Sequence, residues 1–371
     1  MLNHQQSNSY GADVMRGIAI LMVVFYHVFC YNAGNSLPWT GWFQNFKAPP
    51  SQYYLWFYPM SFGWAGVALF FVLSGFCIHF SFLRSKNFTI RNFFWRRFCR
   101  IYPAYLAALL VFTIFCEPEI WSAFGARQIF SHLALLHNLR ESWFFGINPS
   151  FWSIAVEFQL YLLYPILLFL RSKIGMNKSL ILVFSLGMLW RLFAVSYYGL
   201  PKQSVTSVFT FPIMTWFDWI LGAYVAENFA QGQRSFSKSW LWLIVLTPLF
   251  LTSTLFKPTI IFSFSLAAAV SAVVLDRALH HGWRDRGFPA SLAFIGGVSY
   301  SLYLWHQPVL YLFELRMKPL LGSFFAIGTY LLFIILASWL SYLLVERSGI
   351  RFGNWFWSKL PNREGKKGWQ N

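Results

Sequence analysis

Several nearly uninterrupted apolar segments, each about 20 residues long, constrain the fold of this chain more than any other feature. As a helix, a segment of that length crosses the hydrocarbon core of a bilayer, which is about 30 Å thick. Only 11% of the 371 residues are charged, whereas soluble domains carry about 25%. The pattern predicts an all-α integral membrane protein, with one membrane domain over residues 1–350 and a basic cytoplasmic tail over residues 351–371.

About ten transmembrane helices are expected from the apolar segments and the charged, proline and glycine residues that bound them. Their predicted limits are 14–32, 62–83, 101–117, 151–171, 179–198, 208–229, 239–256, 259–279, 291–313 and 319–345. Of the lysines and arginines in the loops and the tail, with Arg171 and Arg277 at two span ends counted in the loops that follow them, 20 fall on one side and seven on the other. The positive-inside rule therefore places both termini in the cytoplasm.

The net charge of +17 would also suit a nucleic-acid-binding protein. The charges lie in alternate loops, however, as membrane orientation requires, so no nucleic-acid partner is expected. The four cysteines show no metal-binding spacing, and no metal site is expected. Whether Cys30 and Cys116 form a disulfide stays open, because connectivity is not encoded in spacing.

The first span carries two ionisable residues, Arg16 and His27, which are about three helical turns apart and so lie on nearly the same face. The histidine would lie roughly 16 Å deeper than the arginine. A charged or titratable group at that depth usually faces a polar cavity or a partner. An interfacial arginine and a structural buried histidine would explain the pair equally well.

Two arginines, Arg97 and Arg100, stand at the predicted cytoplasmic mouth of the third span, where Pro103 suits a first helical turn. Residues three apart share a helix face, and two guanidinium groups there could clamp phosphates. The alternative is ordinary positive-inside charge.

Glu157 is predicted about 8 Å below the outer surface, in the fourth span. A carboxylate at that depth is a functional-site candidate. A histidine base oriented by a carboxylate activates hydroxyl groups, which makes His27 and Glu157 a candidate pair. A structural ion pair is the alternative.

Further polar residues could line a cavity within the spans: Asp218 in the sixth, and Tyr303 and His306 in the ninth. Arg191 is expected to pair with an acid or with phosphate. Ser74 and Gly75 are expected to allow close helix packing.

Three segments lie outside the predicted spans. Residues 33–60 are rich in aromatic residues and suit an interfacial belt or a surface that stacks on sugars. Residues 127–139 have helical apolar spacing, which predicts an amphipathic helix on the outer interface. The tail from Asn354 is polar and basic, and it is expected to be disordered near anionic lipid.

At these residues the chain resembles the membrane-bound acyltransferase family 3. The matching motifs follow in the family's order and spacing over residues 10–350: Arg-x10-His at Arg16 and His27, Phe-Phe-x-Leu-Ser-Gly-Phe at Phe70–Phe76, Arg-x-x-Arg at Arg97 and Arg100, Trp-Ser-x-x-x-Glu-x-x-x-Tyr at Trp152, Ser153, Glu157 and Tyr161, and Ser-Tyr-x-x-Tyr-Leu-x-His at Ser299–His306. The chain departs from the family pattern in lacking a proline after Glu346-Arg347, and no esterase-like domain is expected after the last span.

The resemblance implies an O-acyltransferase, of groups other than aminoacyl, in the bacterial inner membrane. It would move an acyl group, such as acetyl, from cytoplasmic acyl-CoA to a hydroxyl of a surface glycan: lipopolysaccharide O-antigen, peptidoglycan or exopolysaccharide. Arg16, Arg97 and Arg100 would bind the phosphates of acyl-CoA, and His27, assisted by Glu157, would be the general base. Trp152, Ser153, Tyr161, Asp218, Tyr303 and His306 are candidates for the substrate cavity. No tightly bound cofactor is expected, and the partners would be membrane lipid and a free or lipid-linked glycan.

Two other functions fit part of the pattern. A multi-span transporter of a lipid-linked sugar or small metabolite would use the buried histidine and glutamate as a proton relay. Transporters are commonly built from two repeated halves, and no such repeat is found. A structural partner of a glycan-synthesis complex would tolerate His27→Ala without loss of modification.

Overall fold

The computed structural model describes residues 4–33, 58–115, 122–201, 205–256, 258–281, 283 and 285–359. Within these ranges the regular structure is helical and contains no β-strand, which confirms the all-α prediction. The helices are α1 (His4–Ala33), α2 (Ala65–Leu83), α3 (Ile90–Phe115), α4 (Ala123–Leu133), α5 (Glu141–Phe144), α6 (Phe151–Ile174), α7 (Met176–Tyr198), α8 (Pro212–Ala230), α9 (Ser239–Ser253), α10 (Ile260–Leu279), α11 (Phe288–Gly297), α12 (Ser299–Arg316), α13 (Lys318–Ser341) and α14 (Arg347–Lys359). Single turns of 3-10 helix lie at Tyr58–Phe62 and His137–Leu139, and a π-helical turn at Tyr342–Glu346 joins α13 to α14.

Seven helical segments among the described residues are long and apolar enough to cross a membrane: Tyr10–Phe29, Ala65–Leu83, Ile90–Ile114, Phe151–Ile174, Met176–Tyr198, Ile260–Leu279 and Phe325–Lys359. Helices α9 and α11 are apolar but shorter. The chain is thus an integral, multi-pass membrane protein, while the count of ten spans and the cytoplasmic position of both termini stay predictions. Cys30 has no described side chain, Cys116 is outside the described residues, and so is most of the aromatic segment 33–60.

Two predictions about helix ends are wrong, and one contact explains both. Helix α3 begins at Ile90, so Pro103 lies inside the helix rather than in its first turn. Helix α14 extends to Lys359, although disorder was expected from Asn354. The indole Nε1 of Trp95 in α3 donates a hydrogen bond of 3.0 Å to the Gly353 carbonyl in α14. Packing between the helices therefore extends each beyond the segment that apolar periodicity marks.

Two other predicted helices are interrupted. The span expected at 291–313 is divided at Val298 into α11 and α12. The amphipathic helix expected at 127–139 ends at Leu133, and Leu135 then adopts a positive φ of 55°. That backbone conformation is unfavourable for a side chain with a Cβ and ends a helix.

The chain divides into two compact units. The first comprises Met1–Leu83 and Lys173–Ser299. Glycines set its closest helix contact, because a Cβ at Gly75 of α2 would collide with the Trp219 carbonyl of α8, and the Trp219 indole donates to Ser74 Oγ at 3.2 Å. Small residues at a contact between membrane helices allow the backbones to approach closely. Ser74 and Gly75 therefore have the packing contacts that the sequence predicted.

The second unit comprises Arg84–Ser172 and Tyr300–Asn371. Ring contacts define how α3 and α6 are aligned: Tyr105 lies 4.7 Å from Phe151, and Phe93 lies 6.1 Å from Tyr161 and 5.1 Å from Tyr164, centroid to centroid. Rising residue numbers on α3 therefore pair with falling numbers on α6, so the two helices run antiparallel.

Candidate functional site

The main cluster of predicted site residues is formed by α6 and α12 in the second unit. Ser153, Glu157 and Tyr161 are spaced by four residues and so lie on one face of α6. The Ser153 and Tyr303 hydroxyls are 2.7 Å apart, and the Tyr161 hydroxyl donates to Glu157 Oε1 at 2.6 Å. The carboxylate of Glu157 also interacts electrostatically with Tyr303. The structure thus joins four of the predicted residues in one hydroxyl-rich site.

The alignment of α3 and α6 places Glu157 at nearly the same level along the helices as Arg100. Because Phe151 is opposite Tyr105, and Tyr161 and Tyr164 are opposite Phe93, a position six residues into α6 faces the level of residues 99 and 100. The sequence did not predict this relation, because it placed Glu157 near the outer surface and the arginines at the cytoplasmic mouth; with this alignment the two predicted depths cannot both hold.

Arg97 and Arg100 themselves are half-buried on α3. The Arg97 guanidinium lies 6.0 Å from the centroid of the Phe93 ring, at the outer limit of a cation–π contact. The role of both arginines in phosphate binding stays a prediction.

Sequence reasoning missed Glu346 as a member of this site. Its side chain is 2% exposed, it lies in the π-helical turn, and its Oε2 accepts a hydrogen bond of 2.8 Å from Ser301 Oγ. Tyr300 interacts electrostatically with both Glu346 and Glu157. π-Helical turns are rare and occur often at functional sites. An acid at the end of an apolar span was the signal that could have revealed it.

Of the two remaining cavity candidates in this unit, His306 contacts the four-residue site, because its ring lies 5.3 Å from the ring of Tyr303, centroid to centroid. The Trp152 indole stacks on Phe144 at 5.5 Å. His306 is fully buried, and its Nδ1 lies 2.7 Å from the Tyr303 carbonyl oxygen. Since a carbonyl only accepts, Nδ1 of His306 carries the hydrogen. This bond fixes the histidine against the residue that contacts Ser153.

The two predicted residues of the first span, Arg16 and His27, belong to the first unit. Arg16 forms an ion pair with Asp13 and donates to Cys77 Sγ at 2.9 Å. The Nδ1 of His27 lies 2.9 Å from the Val23 carbonyl oxygen. This nitrogen must therefore donate, which leaves the lone pair of the neutral ring on Nε2. A histidine held in this way has the tautomer that a general base requires.

Asp218 also belongs to the first unit, whereas the other cavity candidates belong to the second. It is 1% exposed and interacts electrostatically with Arg191. Arg191 donates from Nε to the Ile261 carbonyl at 3.1 Å and from Nη2 to Ser265 Oγ. Of the two partners expected for Arg191, an acid or phosphate, the structure thus brings an acid, Asp218, within electrostatic range, and phosphate stays a prediction.

A second ionisable pair of the first unit was missed. His79 Nε2 lies 2.8 Å from Glu227 Oε1, and the histidine side chain is fully buried. Each is an ionisable residue near the end of an apolar helix, which was the available sequence signal. Among the described residues, no group of three or more His, Cys, Asp and Glu side chains could hold a metal ion.

Two stacked histidines lie between α3 and α6 in the chain, outside the membrane-spanning segments. The rings of His132 and His137 are 3.9 Å apart and nearly parallel, at 5°. Burial lowers the pKa of His132, against the effect of hydrogen bonds to the Gln128 and Gly146 carbonyls. Burial also lowers the pKa of His137 well below its usual value, with a smaller contribution from His132. Burial thus favours the neutral form of both rings, whereas the two carbonyl contacts of His132, at 2.8 Å and 2.9 Å, favour its protonated form.

The comparisons with known proteins agree with the motifs. The family described as "Acyltransferase domain" matches residues 9–346. A peptidoglycan O-acetyltransferase of Listeria monocytogenes is 27% identical over 68% of this chain and 46% of its own length. A Staphylococcus aureus protein provisionally named as an O-acetyltransferase is 25% identical over 95% of this chain and 59% of its own length. A Bacillus subtilis protein provisionally named as a peptidoglycan O-acetyltransferase is 24% identical over 84% and 50%. The chain thus spans about half the length of the relatives it matches, and no solved structure matches it.

Proposed function

Because this chain belongs to the acyltransferase family 3, we propose that it is a membrane O-acyltransferase that moves an acyl group from cytoplasmic acyl-CoA to a hydroxyl of a cell-surface glycan. Acetyl is the first candidate for the acyl group, since the relatives are named as O-acetyltransferases. Two of those names specify peptidoglycan, which makes it the first acceptor to test, ahead of O-antigen and exopolysaccharide. The proposed location is the bacterial inner membrane.

The observation that carries the proposal is the hydroxyl-rich site of α6 and α12. Neutral hydroxyls from Ser153 and Tyr303 and the carboxylate of Glu157 are the groups that bind and orient an alcohol through directional hydrogen bonds. All three residues lie in segments that resemble motifs of the family. A site of this composition suits a sugar hydroxyl better than it suits an anion.

In the proposed reaction, Nε2 of His27 accepts the proton of the acceptor hydroxyl. The hydroxyl oxygen attacks the thioester carbonyl, the C–S bond breaks, and the CoA thiolate takes the proton back from the imidazolium. The bond from His27 to the Val23 carbonyl supports this role because it sets the required tautomer. Assistance by Glu157, and phosphate binding by Arg16 with Arg97 and Arg100, stay predictions from the sequence.

The test is acyl transfer by the purified full chain, with radiolabelled acetyl-CoA and a pool of peptidoglycan, O-antigen and exopolysaccharide. His27→Ala and Arg97→Ala are compared with His281→Ala and Arg91→Ala, which change the same residue types at exposed positions. Label in one glycan class from wild type and the two control variants, and from neither test variant, would support the proposal. Transfer that persists in His27→Ala would remove His27 as the base.

The transporter alternative draws on one observation, the buried His79–Glu227 pair, since ionisable pairs inside membranes also form proton relays. Binding of acetyl-CoA discriminates between the two functions, because an acetyltransferase must bind this donor and a transporter is not expected to. Folded wild-type protein that fails to bind acetyl-CoA but moves protons across vesicles in a His79-dependent way would favour the transporter.

A further inference from the structure

One face of helix α14 is fixed to α3. A Cβ at Gly349 would lie 2.6 Å from the Cys99 carbonyl oxygen, and one at Gly353 would lie 2.7 Å from the Cys99 Cβ. The Trp95 indole closes the contact with its bond to the Gly353 carbonyl. Two glycines four residues apart thus form the inner face of α14, and no larger residue fits there.

The rest of α14 is exposed and combines basic with aromatic residues. Phe352 is 51% exposed and Trp355 is 57% exposed, and Arg347, Arg351 and Lys359 are exposed as well. At 100° per residue, Arg347 and Arg351 project opposite the glycine face, while Phe352 and Trp355 lie at one side. A helix with this distribution has both a charged and an apolar exposed surface.

No acidic residue is present in Arg347–Lys359 or in the segment 84–100 that begins α3. That segment adds Arg84, Lys86, Arg91 and Arg96 to Arg97 and Arg100. The paired ends of α3 and α14 therefore carry nine basic residues and no counter-charge of their own within these segments. Such a surface attracts an anionic partner.

The position of α14 identifies the partner. It ends the helical segment Phe325–Lys359, which is long and apolar enough to cross a membrane. Bulky aromatic residues beside arginine and lysine at the end of a span are typical of the headgroup level of a bilayer. A soluble acidic protein would account for the charge but not for the exposed Phe352 and Trp355.

We propose that α14 is a lipid-interface helix whose Arg347, Arg351 and Lys359 bind the phosphates of anionic bilayer lipid, with Phe352 and Trp355 inserted between the headgroups. Bound to lipid on one face and to Cys99 on the other, α14 holds the start of α3 at the membrane surface. Because lipid binding is measured directly, the proposal is independent of acyl transfer.

The test is lipid binding by the purified full chain in detergent, titrated with phosphatidylglycerol or phosphatidylcholine and followed by native mass spectrometry. The triple variant Arg347→Gln/Arg351→Gln/Lys359→Gln is compared with Lys178→Gln/Arg234→Gln/Lys238→Gln, which removes the same charge from exposed positions of the first unit. Each basic residue near an anionic lipid surface changes binding about fivefold, so the test variant is expected to bind phosphatidylglycerol roughly 100-fold more weakly. Phosphatidylcholine binding should stay within twofold.

Three results would overturn the proposal: unchanged phosphatidylglycerol binding by the test variant, an equal loss in the control variant, or an equal loss of both lipids. Thermal unfolding in phosphatidylcholine checks that the test variant is folded. If the triple variant does not fold, Arg351→Gln alone provides the test, with an expected loss of about fivefold, and Lys238→Gln is its control.

Discussion

Removal of the hydrogen bond between Tyr161 and Glu157 is the most exacting test of the site, because Tyr161→Phe removes one hydroxyl and little else. The bond is 2.6 Å long and joins a phenol to a carboxylate one turn away on the same helix. Hydrogen bonds to charged groups contribute about 1.5–3 kcal/mol. If the bond orients Glu157 during transfer, its loss lowers kcat/KM by roughly 10-fold to 100-fold.

The assay is a double-mutant cycle on acetyl transfer, with Tyr161→Phe, Glu157→Gln and the double variant. Glu157→Gln is expected to lower kcat/KM more than Tyr161→Phe does. In the Glu157→Gln background, Tyr161→Phe should have little further effect, because the charge-assisted bond is already lost. Tyr311→Phe, at a position 51% exposed, is the matched control and should transfer at the wild-type rate.

The reasoning would be refuted by two results. Equal losses from Tyr161→Phe in both backgrounds would show that the tyrosine acts independently of Glu157. A wild-type rate in Tyr161→Phe, with folding intact, would show that the bond is structural only.

Three predictions concern stability, each measured as thermal unfolding of the purified chain. Gly75→Ala should destabilise the first unit by about 1–3 kcal/mol or more, because the new Cβ meets a backbone carbonyl. Gly328→Ala is the control and should be nearly neutral, since the space around Gly328 is open. Equal effects of the two substitutions would contradict the predicted steric clash at Gly75. Trp95→Phe removes the bond to Gly353 and should cost about 1 kcal/mol, and an unchanged midpoint would mean that the indole does not fix α14. Burial lowers the pKa of His137, so below the usual histidine pKa of about 6.5 the unfolded chain binds more protons than the folded chain. The stability contributed by the neutral ring is therefore full above that pH and falls as the pH drops below it, by at most about 1.4 kcal/mol per pH unit for one proton. His137→Phe should flatten the fall, and an unchanged slope would exclude His137 as its source.

The helical fold and part of the site follow from the sequence because both depend on local spacing. Apolar length alone predicts the spans, and a spacing of four residues places Ser153, Glu157 and Tyr161 on one helix face. Tyr303 was expected to line a cavity because it is polar within an apolar span, and the structure places it against Ser153. These are properties that a single segment, or a motif, carries within itself.

What could not be predicted depends on which helices meet. The extension of α3 to Ile90 and the helical form of the tail both come from contacts between α3 and α14. The bond between Ser301 and Glu346 joins residues 45 positions apart. No periodicity within either segment encodes such a pairing, because it arises only when the helices pack.

The level of Glu157 has a consequence for how the acyl group reaches its acceptor. If Arg97 and Arg100 hold the phosphates of acyl-CoA as proposed, those phosphates lie near the level of Glu157 along α3 and α6. Ser153 lies about 6 Å further along, at one helical turn, and the thioester is at the opposite end of CoA from its phosphates. An arm that extends from the arginines past Glu157 would bring the thioester to the Ser153 and Tyr303 hydroxyls, where we propose that the acceptor hydroxyl binds.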